Sequence, residues 1–325
     1  MSNLEKHPAE VSGEGEPGPI AAIEILRPRD VPLGGPRAMP VRRTLPQRSR
    51  SLIGAWCFVD HYGPDAVATS GGMVVPPHPH TGLQTVSWLF TGEIEHRDSV
   101  GSHAMVRPGE INLMTAGSGI AHSEVSTPAT TTLHGAQLWL ALPDSERHRE
   151  PFFEHFAPEP VRIADATIRV FIGSLAGSRS PVAVYTPLVG AELVLEAGAV
   201  IDVPVDAGFE HGILLDIGDV TVQDTTVGRS ELAYVAPGVD TIRLVAGAEG
   251  ARVLLIGGEP FGERIVMWWN FIGRTHEEVV AYRADWQGDV IDGGRDDGRF
   301  GLVRGYDGSA LPAPVLPNVR LKPRE

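Results

Sequence analysis

Short apolar runs, punctuated by glycine and proline, constrain the fold of this chain more than any other feature. From Ile20 onward, runs of about four to eight apolar residues alternate with Gly, Pro, Asp and Ser. The 325 residues include 38 Gly and 27 Pro, which favour strands and turns over long helices. We therefore predict an all-β sandwich or barrel, with strands over 85–90, 137–142, 168–172, 191–195, 212–216 and 252–256.

One segment near the C-terminus has the pattern of a helix. Thr275-His-Glu-Glu278 has the sequence pattern of a capping box, and Val279, Tyr282 and Trp286 follow at helical spacing. We predict a short helix there, packed on the outside of the barrels. The prolines of 311–317 cannot continue a helix or a strand ladder, so we expect that tail to be extended or irregular.

An internal repeat predicts two similar barrels. In the first copy, the segment 77–82 is followed by a strand that ends at Thr91-Gly92 and then by Arg107-Pro-Gly109. In the second copy, the similar segment 209–212 is followed by Ala236-Pro-Gly238. The second copy keeps only His211 of the candidate ligands described below, so we expect it to have lost its metal site. The predicted units are a disordered lead (1–19), an N-terminal barrel with a metal site (20–143), a C-terminal barrel (144–265), and a helix with a proline-rich tail (266–325).

Two triplets in the first unit carry candidate metal ligands. His78-Pro79-His80 and His122-Ser123-Glu124 each place two ligands at i and i+2, which is one face of a strand. Three imidazoles and a carboxylate, without thiolates, suit Fe, Mn, Co, Ni or Cu better than structural zinc. The alternative is that the histidines lie in an exposed proline-rich loop and that Glu124 is solvated.

Charge and composition exclude several classes of function. With 27 Lys+Arg against 41 Asp+Glu, the net charge of −14 disfavours direct binding to nucleic acid. The single cysteine, Cys57, forms no intrachain disulfide, and we expect it to be a buried apolar residue. No apolar stretch approaches the roughly 20 residues of a membrane span, and the start lacks the apolar core of a secretory signal. We expect a cytoplasmic protein without membrane contact.

The segments around both triplets resemble the pirin family of the cupin superfamily, and in particular its bacterial members. The resemblance is most specific in His78-Pro-His-Thr-Gly-Leu-Gln-Thr-Val-Ser-Trp-Leu-Phe-Thr-Gly92 and in Met114-Thr-Ala-Gly-Ser-Gly-Ile-Ala-His-Ser-Glu124. It implies a bicupin, which is two antiparallel β-barrels packed face to face. It also implies one metal in the N-terminal barrel, held by His78, His80, His122 and Glu124. The expected ion is Fe(II), with Mn, Ni, Co and Cu as alternatives.

One position departs from the general cupin pattern. Gln84 stands where His-x-His-x-x-x-Glu would place a glutamate. This position is not usually a ligand in pirins, so we expect the change to alter hydrogen bonding or pocket polarity rather than metal retention.

Five other polar residues lie near the predicted barrel mouth or its strands. We expect His61 to serve in packing or in a hydrogen bond to a carbonyl group, and His134 to be structural. His96, Asp98 and His103 follow Gly92, and we expect them to lie on a solvated loop.

Two functions are compatible with the sequence. Some pirins resemble quercetin 2,3-dioxygenases, which implies ring cleavage of a flavonol, or of a related enol or diphenol, by O₂. Glu124 would then be both a ligand and the catalytic base. The alternative is a metal- or redox-sensing regulator that binds a metabolic enzyme or a transcription factor. We expect a small aromatic substrate, a possible protein partner and a monomeric chain.

Overall fold

The protein is built from two antiparallel β-barrels, as the computed structural model of residues 23–33 and 39–324 shows. This confirms the predicted all-β bicupin architecture. All six strands predicted from the apolar runs are present. The predicted disordered lead, 1–19, lies outside the described residues.

The N-terminal barrel consists of two facing sheets. The first twelve strands of the chain are β1 (Glu24–Leu26), β2 (Arg29–Leu33), β3 (Met39–Leu45), β4 (Trp56–Ala66), β5 (Val74–His80), β6 (Leu83–Thr91), β7 (Ile94–Asp98), β8 (His103–Val106), β9 (Ile111–Thr115), β10 (Ile120–Ser126), β11 (Thr132–Ala141) and β12 (Phe152–Phe156). The larger sheet has the order β12-β9-β6-β11-β4-β3-β2, and the smaller has the order β5-β10-β7-β8. One short helix, α1 (Val67–Ser70), follows β4.

The C-terminal barrel is one nine-stranded sheet with a small hairpin beside it. Its strands are β13 (Val161–Ile163), β14 (Ala166–Ile172), β15 (Ser174–Leu175), β16 (Ser178–Arg179), β17 (Leu188–Leu195), β18 (Val200–Pro204), β19 (Glu210–Val222), β20 (Thr225–Val227), β21 (Leu232–Val235) and β22 (Thr241–Gly258). The order is β1-β21-β19-β22-β17-β14-β13, with β18 paired to β22 and β20 paired to β19. Strands β15 and β16 pair with each other.

Two strands cross the boundary that the sequence predicted between the barrels. Strand β1 lies in the predicted N-terminal unit but pairs with β21, placing Glu24 opposite Tyr234. Strand β12 lies in the predicted C-terminal unit but pairs with β9, placing Phe152 opposite Thr115. The predicted division at residue 143 is therefore wrong for these strands, because apolar patterning locates a strand without identifying its partner.

Apolar side chains from both barrels form the interface between them. Trp88 of β6 packs against Phe171 of β14, with ring centroids 4.6 Å apart. The indole of Trp56 donates to the carbonyl of Gly257 at 3.1 Å, so the polar edge of this buried ring is satisfied across the interface. This shared core fixes the barrels against each other.

A buried polar network lies at one end of the interface. Asp216 of β19 accepts hydrogen bonds at Oδ1 from His61 Nε2 (2.7 Å) and His134 Nε2 (2.6 Å), and at Oδ2 from Arg252 Nε (2.6 Å). Ser230 Oγ lies 2.8 Å from His61 Nδ1. Burial raises the pKa of Asp216, but the hydrogen bonds from His134 and His61 outweigh it and hold that pKa well below its usual range. Both histidines are structural, as predicted, although His61 bonds side chains rather than a carbonyl group.

The C-terminal segment packs beside the N-terminal barrel. It contains β23 (Val266–Trp268), β24 (Phe271–Gly273), α2 (His276–Asp285) and a π-helix (Trp286–Asp292). The predicted capping box of Thr275 and Glu278 is confirmed, since each side chain bonds the other's backbone. Leu311 N donates to Pro77 O at 2.8 Å, which fixes the proline-rich tail beside β5. Among the described residues, no helix is long and apolar enough to cross a membrane.

We expect Asp216→Asn to lower the free energy of unfolding by about 3–5 kcal/mol, because the substitution leaves Arg252 without its buried counter-charge and both imidazoles without a charged acceptor. Urea denaturation at neutral pH measures the change. Asp219→Asn is the matched control, since Asp219 is an exposed carboxylate on the same strand, and it should shift stability by less than about 0.5 kcal/mol. Equal losses in the two variants would contradict a stabilising role for the network.

Candidate metal centre

The register of three strands brings the candidate ligands to one face of the smaller sheet. Strand β10 lies between β5 and β7, and His122 stands opposite His78 on one side and opposite Asp98 on the other. Glu124 stands opposite His96. Residues directly opposite each other in antiparallel strands point to the same side of the sheet, so these side chains share the barrel interior.

Three imidazoles converge on one point in that interior. The Nε2 atom of His80 lies 3.1 Å from Nε2 of His78 and 3.1 Å from Nε2 of His122, and all three side chains are fully buried. His78 Nδ1 lies 2.8 Å from the carbonyl oxygen of Pro76 and donates to it. The proton of His78 is thereby held on Nδ1, and the lone pair of Nε2 faces the other two rings. Three nitrogen donors in this arrangement fit a transition-metal ion.

Burial keeps these imidazoles neutral. It lowers the pKa of His78 to about 3. Burial, followed by the neighbouring ring of His78, holds the pKa values of His80 and His122 well below their usual range. A neutral imidazole is the form that binds a metal, so the site needs no deprotonation to accept one near pH 7.

Aromatic packing positions the ring of His80. The His80 ring meets the face of Trp139 nearly edge-on, with centroids 5.1 Å apart. Trp139 in turn stacks on Phe58 at 3.9 Å between centroids. This wall fixes the imidazole orientation before any ion binds, which reduces the entropy lost on binding.

A glycine turn brings the second triplet close to the first. Gly117 has a φ of +52°, and a Cβ there would collide with the carbonyl oxygen of Arg149. Gly82 N donates to Gly117 O at 2.9 Å, which ties the turn before β10 to the end of the first triplet. Only glycine adopts this conformation in so little space.

Glu124 lies beside the imidazole group. A carboxylate oxygen of Glu124 and ring nitrogens of His122 and His96 lie within 4.8 Å of one another. Ser87 Oγ is 3.0 Å from Glu124 Oε1 and 3.0 Å from Gln137 Oε1, so its single proton can serve either oxygen. The four sequence-predicted ligands therefore share one buried site, with Glu124 adjacent to the three converging nitrogens rather than among them.

The structure corrects the prediction for His96 and Asp98. Both are buried on β7 rather than solvated on a loop. His96 Nδ1 lies 3.4 Å from His122 Nδ1, its Nε2 lies 3.3 Å from Asp98 Oδ2, and its ring stacks on Phe153. Their i, i+2 spacing in a five-residue strand was the signal that could have identified them. His103 is exposed, as predicted, although it starts strand β8.

The side chain of Gln84 connects its own strand to two other segments of the fold. Its Nε2 donates to Thr115 Oγ1 at 2.8 Å and to the carbonyl of Ala183 at 2.9 Å. The amide therefore joins β6 both to β9 and to the loop that precedes β17.

The second barrel lacks a comparable group within the part of the chain that the structure describes. His211 is fully buried at the start of β19, and neither ring nitrogen has a hydrogen-bond partner among the residues described. None of the three clusters of His and carboxylate side chains found in residues 23–33 and 39–324 includes His211.

Comparisons with known proteins match both barrels. The Pirin family model matches residues 38–140, and the model of the Pirin C-terminal cupin domain matches residues 190–291. A Pseudomonas aeruginosa protein, provisionally named quercetin 2,3-dioxygenase, is 42% identical over 91% of each chain.

Solved structures share the same fold. The crystal structure of quercetin 2,3-dioxygenase from Acinetobacter baumannii is 38% identical, with a TM-score of 0.85 over 92% of this chain and 97% of its own. The Escherichia coli pirin YhhW, solved in complex with nickel(II), is 20% identical with a TM-score of 0.56, over 73% of this chain and 99% of its own.

We expect the stability of the metal-free protein to fall as the pH is lowered. The pKa of His78 is depressed from its ordinary value near 6.5 to about 3, so the unfolded chain binds a proton there that the folded chain does not. The contribution of His78 to the free energy of unfolding is therefore complete above about pH 6.5. Below that pH it is lost at up to about 1.4 kcal/mol per pH unit.

Urea denaturation of the metal-free protein at several pH values between about 7 and about 4 tests whether the free energy of unfolding falls as the pH is lowered. His78→Gln should show a shallower pH dependence than the parent chain, because one buried imidazole is gone. If the free energy of unfolding depended on pH equally in the two proteins, the pKa of His78 would not be lowered by folding.

Proposed function

Because the chain belongs to the pirin family, we propose that it is a metal-dependent dioxygenase that cleaves the ring of a flavonol such as quercetin, or of a related enol or diphenol, with O₂. The observation that carries the proposal is the convergence of His78, His80 and His122 on one buried point beside Glu124. The similarity to proteins named quercetin 2,3-dioxygenase supports the choice of reaction.

We propose that the three imidazoles and Glu124 hold one divalent transition metal, with Fe(II) the first choice and Mn, Ni, Co or Cu the alternatives. When bound, such an ion would supply Lewis acidity toward a substrate hydroxyl and redox chemistry toward O₂. The imidazoles are suited to this role because burial keeps them neutral and their Nε2 atoms face one another.

Glu124 is the residue that takes the substrate proton in this proposal. Its carboxylate is buried, and the Ser87 hydroxyl can donate to Oε1 and stabilise the charged form. A substrate hydroxyl placed beside the imidazoles would lie within reach of this carboxylate, since Glu124 is adjacent to His122. The buried walls around the three rings exclude bulk water from the same space.

His122→Ala tests the ligand role. We expect it to lower metal content and quercetin consumption by at least about 100-fold, because even groups outside the ligand set contribute 10- to 100-fold to metal sites. Oxygen uptake with quercetin, together with elemental analysis, measures both quantities. His103→Ala is the matched control, since His103 is exposed and bonds only Glu95 among the described residues. Equal turnover by the two variants would contradict the proposal.

Glu124→Gln separates proton transfer from metal retention. We expect kcat to fall by about 10²–10⁴-fold, the usual contribution of a general base, while the three imidazoles retain most of the metal. Elemental analysis and steady-state kinetics on the same preparation provide the two readouts. Unchanged kcat would remove Glu124 from the role of base.

The same experiments address the regulatory alternative. A protein that binds the metal through His122 but consumes no flavonol, enol or diphenol would favour a metal-sensing regulator over a dioxygenase.

A further inference from the structure

His96 and Asp98 of β7 have no part in the proposed reaction, yet both are buried beside the candidate metal ligand His122. They are two residues apart on one strand, so their side chains lie on the same face of the sheet. Strand pairing places Asp98 opposite His122 and His96 opposite Glu124. The two side chains therefore stand behind the ligands rather than among the three converging nitrogens.

The two ring nitrogens of His122 face different partners. Its Nε2 lies 3.1 Å from Nε2 of His80, at the point where the three imidazoles converge. Its Nδ1 lies 3.4 Å from Nδ1 of His96. A neutral imidazole carries one proton, so an ion held at Nε2 leaves that proton on Nδ1, where His122 donates it to His96.

The position of the proton on His96 follows from this contact. Because Nδ1 of His96 accepts from His122, the single proton of the neutral His96 ring is on Nε2. That Nε2 lies 3.3 Å from Oδ2 of Asp98 and donates to it. With both rings neutral, only this arrangement makes both contacts and leaves the lone pair of His122 Nε2 free for an ion.

Asp98 is held in place by the turn that follows β7. Its Oδ1 accepts hydrogen bonds from the backbone N–H groups of Val100 at 3.1 Å and of Ser102 at 2.8 Å, which leaves Oδ2 facing the imidazole. The same turn is tied to β10 one residue before the ligand. Ser99 N donates to Ala121 O at 2.9 Å, and Ala121 N donates to Ser99 Oγ at 3.0 Å.

Stacking fixes the plane of the His96 ring. The ring of Phe153 on β12 lies 4.7 Å away between centroids and is inclined by 27°. Both ring nitrogens of His96 lie in the plane of its imidazole, so the stack keeps them directed at His122 and Asp98. A ring that is already held in this way loses little further entropy when it orients its neighbour.

We propose that His96 is a positioning residue for the metal centre: it accepts the Nδ1 proton of His122, with Asp98 as its own acceptor, and so directs the lone pair of His122 Nε2 at the ion. Groups behind metal ligands commonly fix the tautomer and orientation of a ligand and raise its basicity. Such a role depends on the proposed metal site of His78, His80 and His122, but not on the dioxygenase activity.

Binding of Co²⁺, measured by competition with a chelator of known affinity, tests this role without a substrate. His96→Leu removes the acceptor and should weaken Co²⁺ binding about tenfold. This is the low end of the usual 10- to 100-fold effect, because both contacts are longer than an ordinary hydrogen bond. His96→Asn should bind within about threefold of the parent chain, since its amide oxygen can stand where Nδ1 stands now.

Asp98→Asn and Glu95→Gln form a matched pair on β7. Each replaces a carboxylate by an amide, but Glu95 points to the other side of the strand and bonds Arg97 and His103. Asp98→Asn should weaken Co²⁺ binding about three- to tenfold, because an amide has only one oxygen to accept from both His96 and the turn. Glu95→Gln should leave Co²⁺ binding unchanged.

The proton NMR spectrum of the Co²⁺ protein separates this role from a general loss of stability. Each imidazole bound through Nε2 keeps an Nδ1–H proton, whose strongly shifted signal is absent from protein prepared in D₂O. We expect three such signals in the parent chain. In His96→Leu one of them should shift, because its acceptor is gone, while the other two stay in place.

Equal Co²⁺ affinity in the parent chain and His96→Leu, three unmoved signals, or an affinity of His96→Asn as low as that of His96→Leu would each overturn the role of His96 alone. A parent chain that binds no Co²⁺ would overturn it together with the metal site. If His96→Leu does not fold, the comparison of Asp98→Asn with Glu95→Gln decides, and equal affinities in that pair would overturn the role.

Discussion

The pairing of β10 with β5 on one side and with β7 on the other is the constraint on which the candidate site depends. It places His122 opposite His78 and sets Glu124 opposite His96. A slip of one residue in either pairing would turn these side chains to the other face of the sheet. The register shift between His122 and Glu124 and the glycine turn before β10 are local features. The site forms because the two pairings of β10 bring the side chains of three strands to one face.

The same strands of the larger sheet serve both the site and the interface between the barrels. On β11, Trp139 points inward and contacts His80, while His134 and Leu138 face the second barrel. Successive side chains of a strand alternate between its two faces, so one strand can support a metal centre and an interface at once. The second barrel thus stabilises the outer face of the strands that enclose the site.

Much of this arrangement could be predicted from the sequence, because it rests on local patterns. The i, i+2 spacing of the two triplets placed their ligands on strands, and the capping box at Thr275 located α2. The exchange of β1 and β12 between barrels could not be predicted, since pairing is a long-range choice. His96 was misplaced for a related reason: one of the rings that pack on it is Phe153 of β12, the strand that crosses to the first barrel.

X-ray absorption spectroscopy of the metal-loaded protein tests whether the three imidazoles bind the ion. We predict a first coordination shell of nitrogen and oxygen at about 2.0–2.2 Å, with the multiple-scattering pattern of three imidazoles, and loss of one imidazole in His80→Ala. A shell containing sulfur, or one with no imidazole, would contradict the assignment of the ion to His78, His80 and His122.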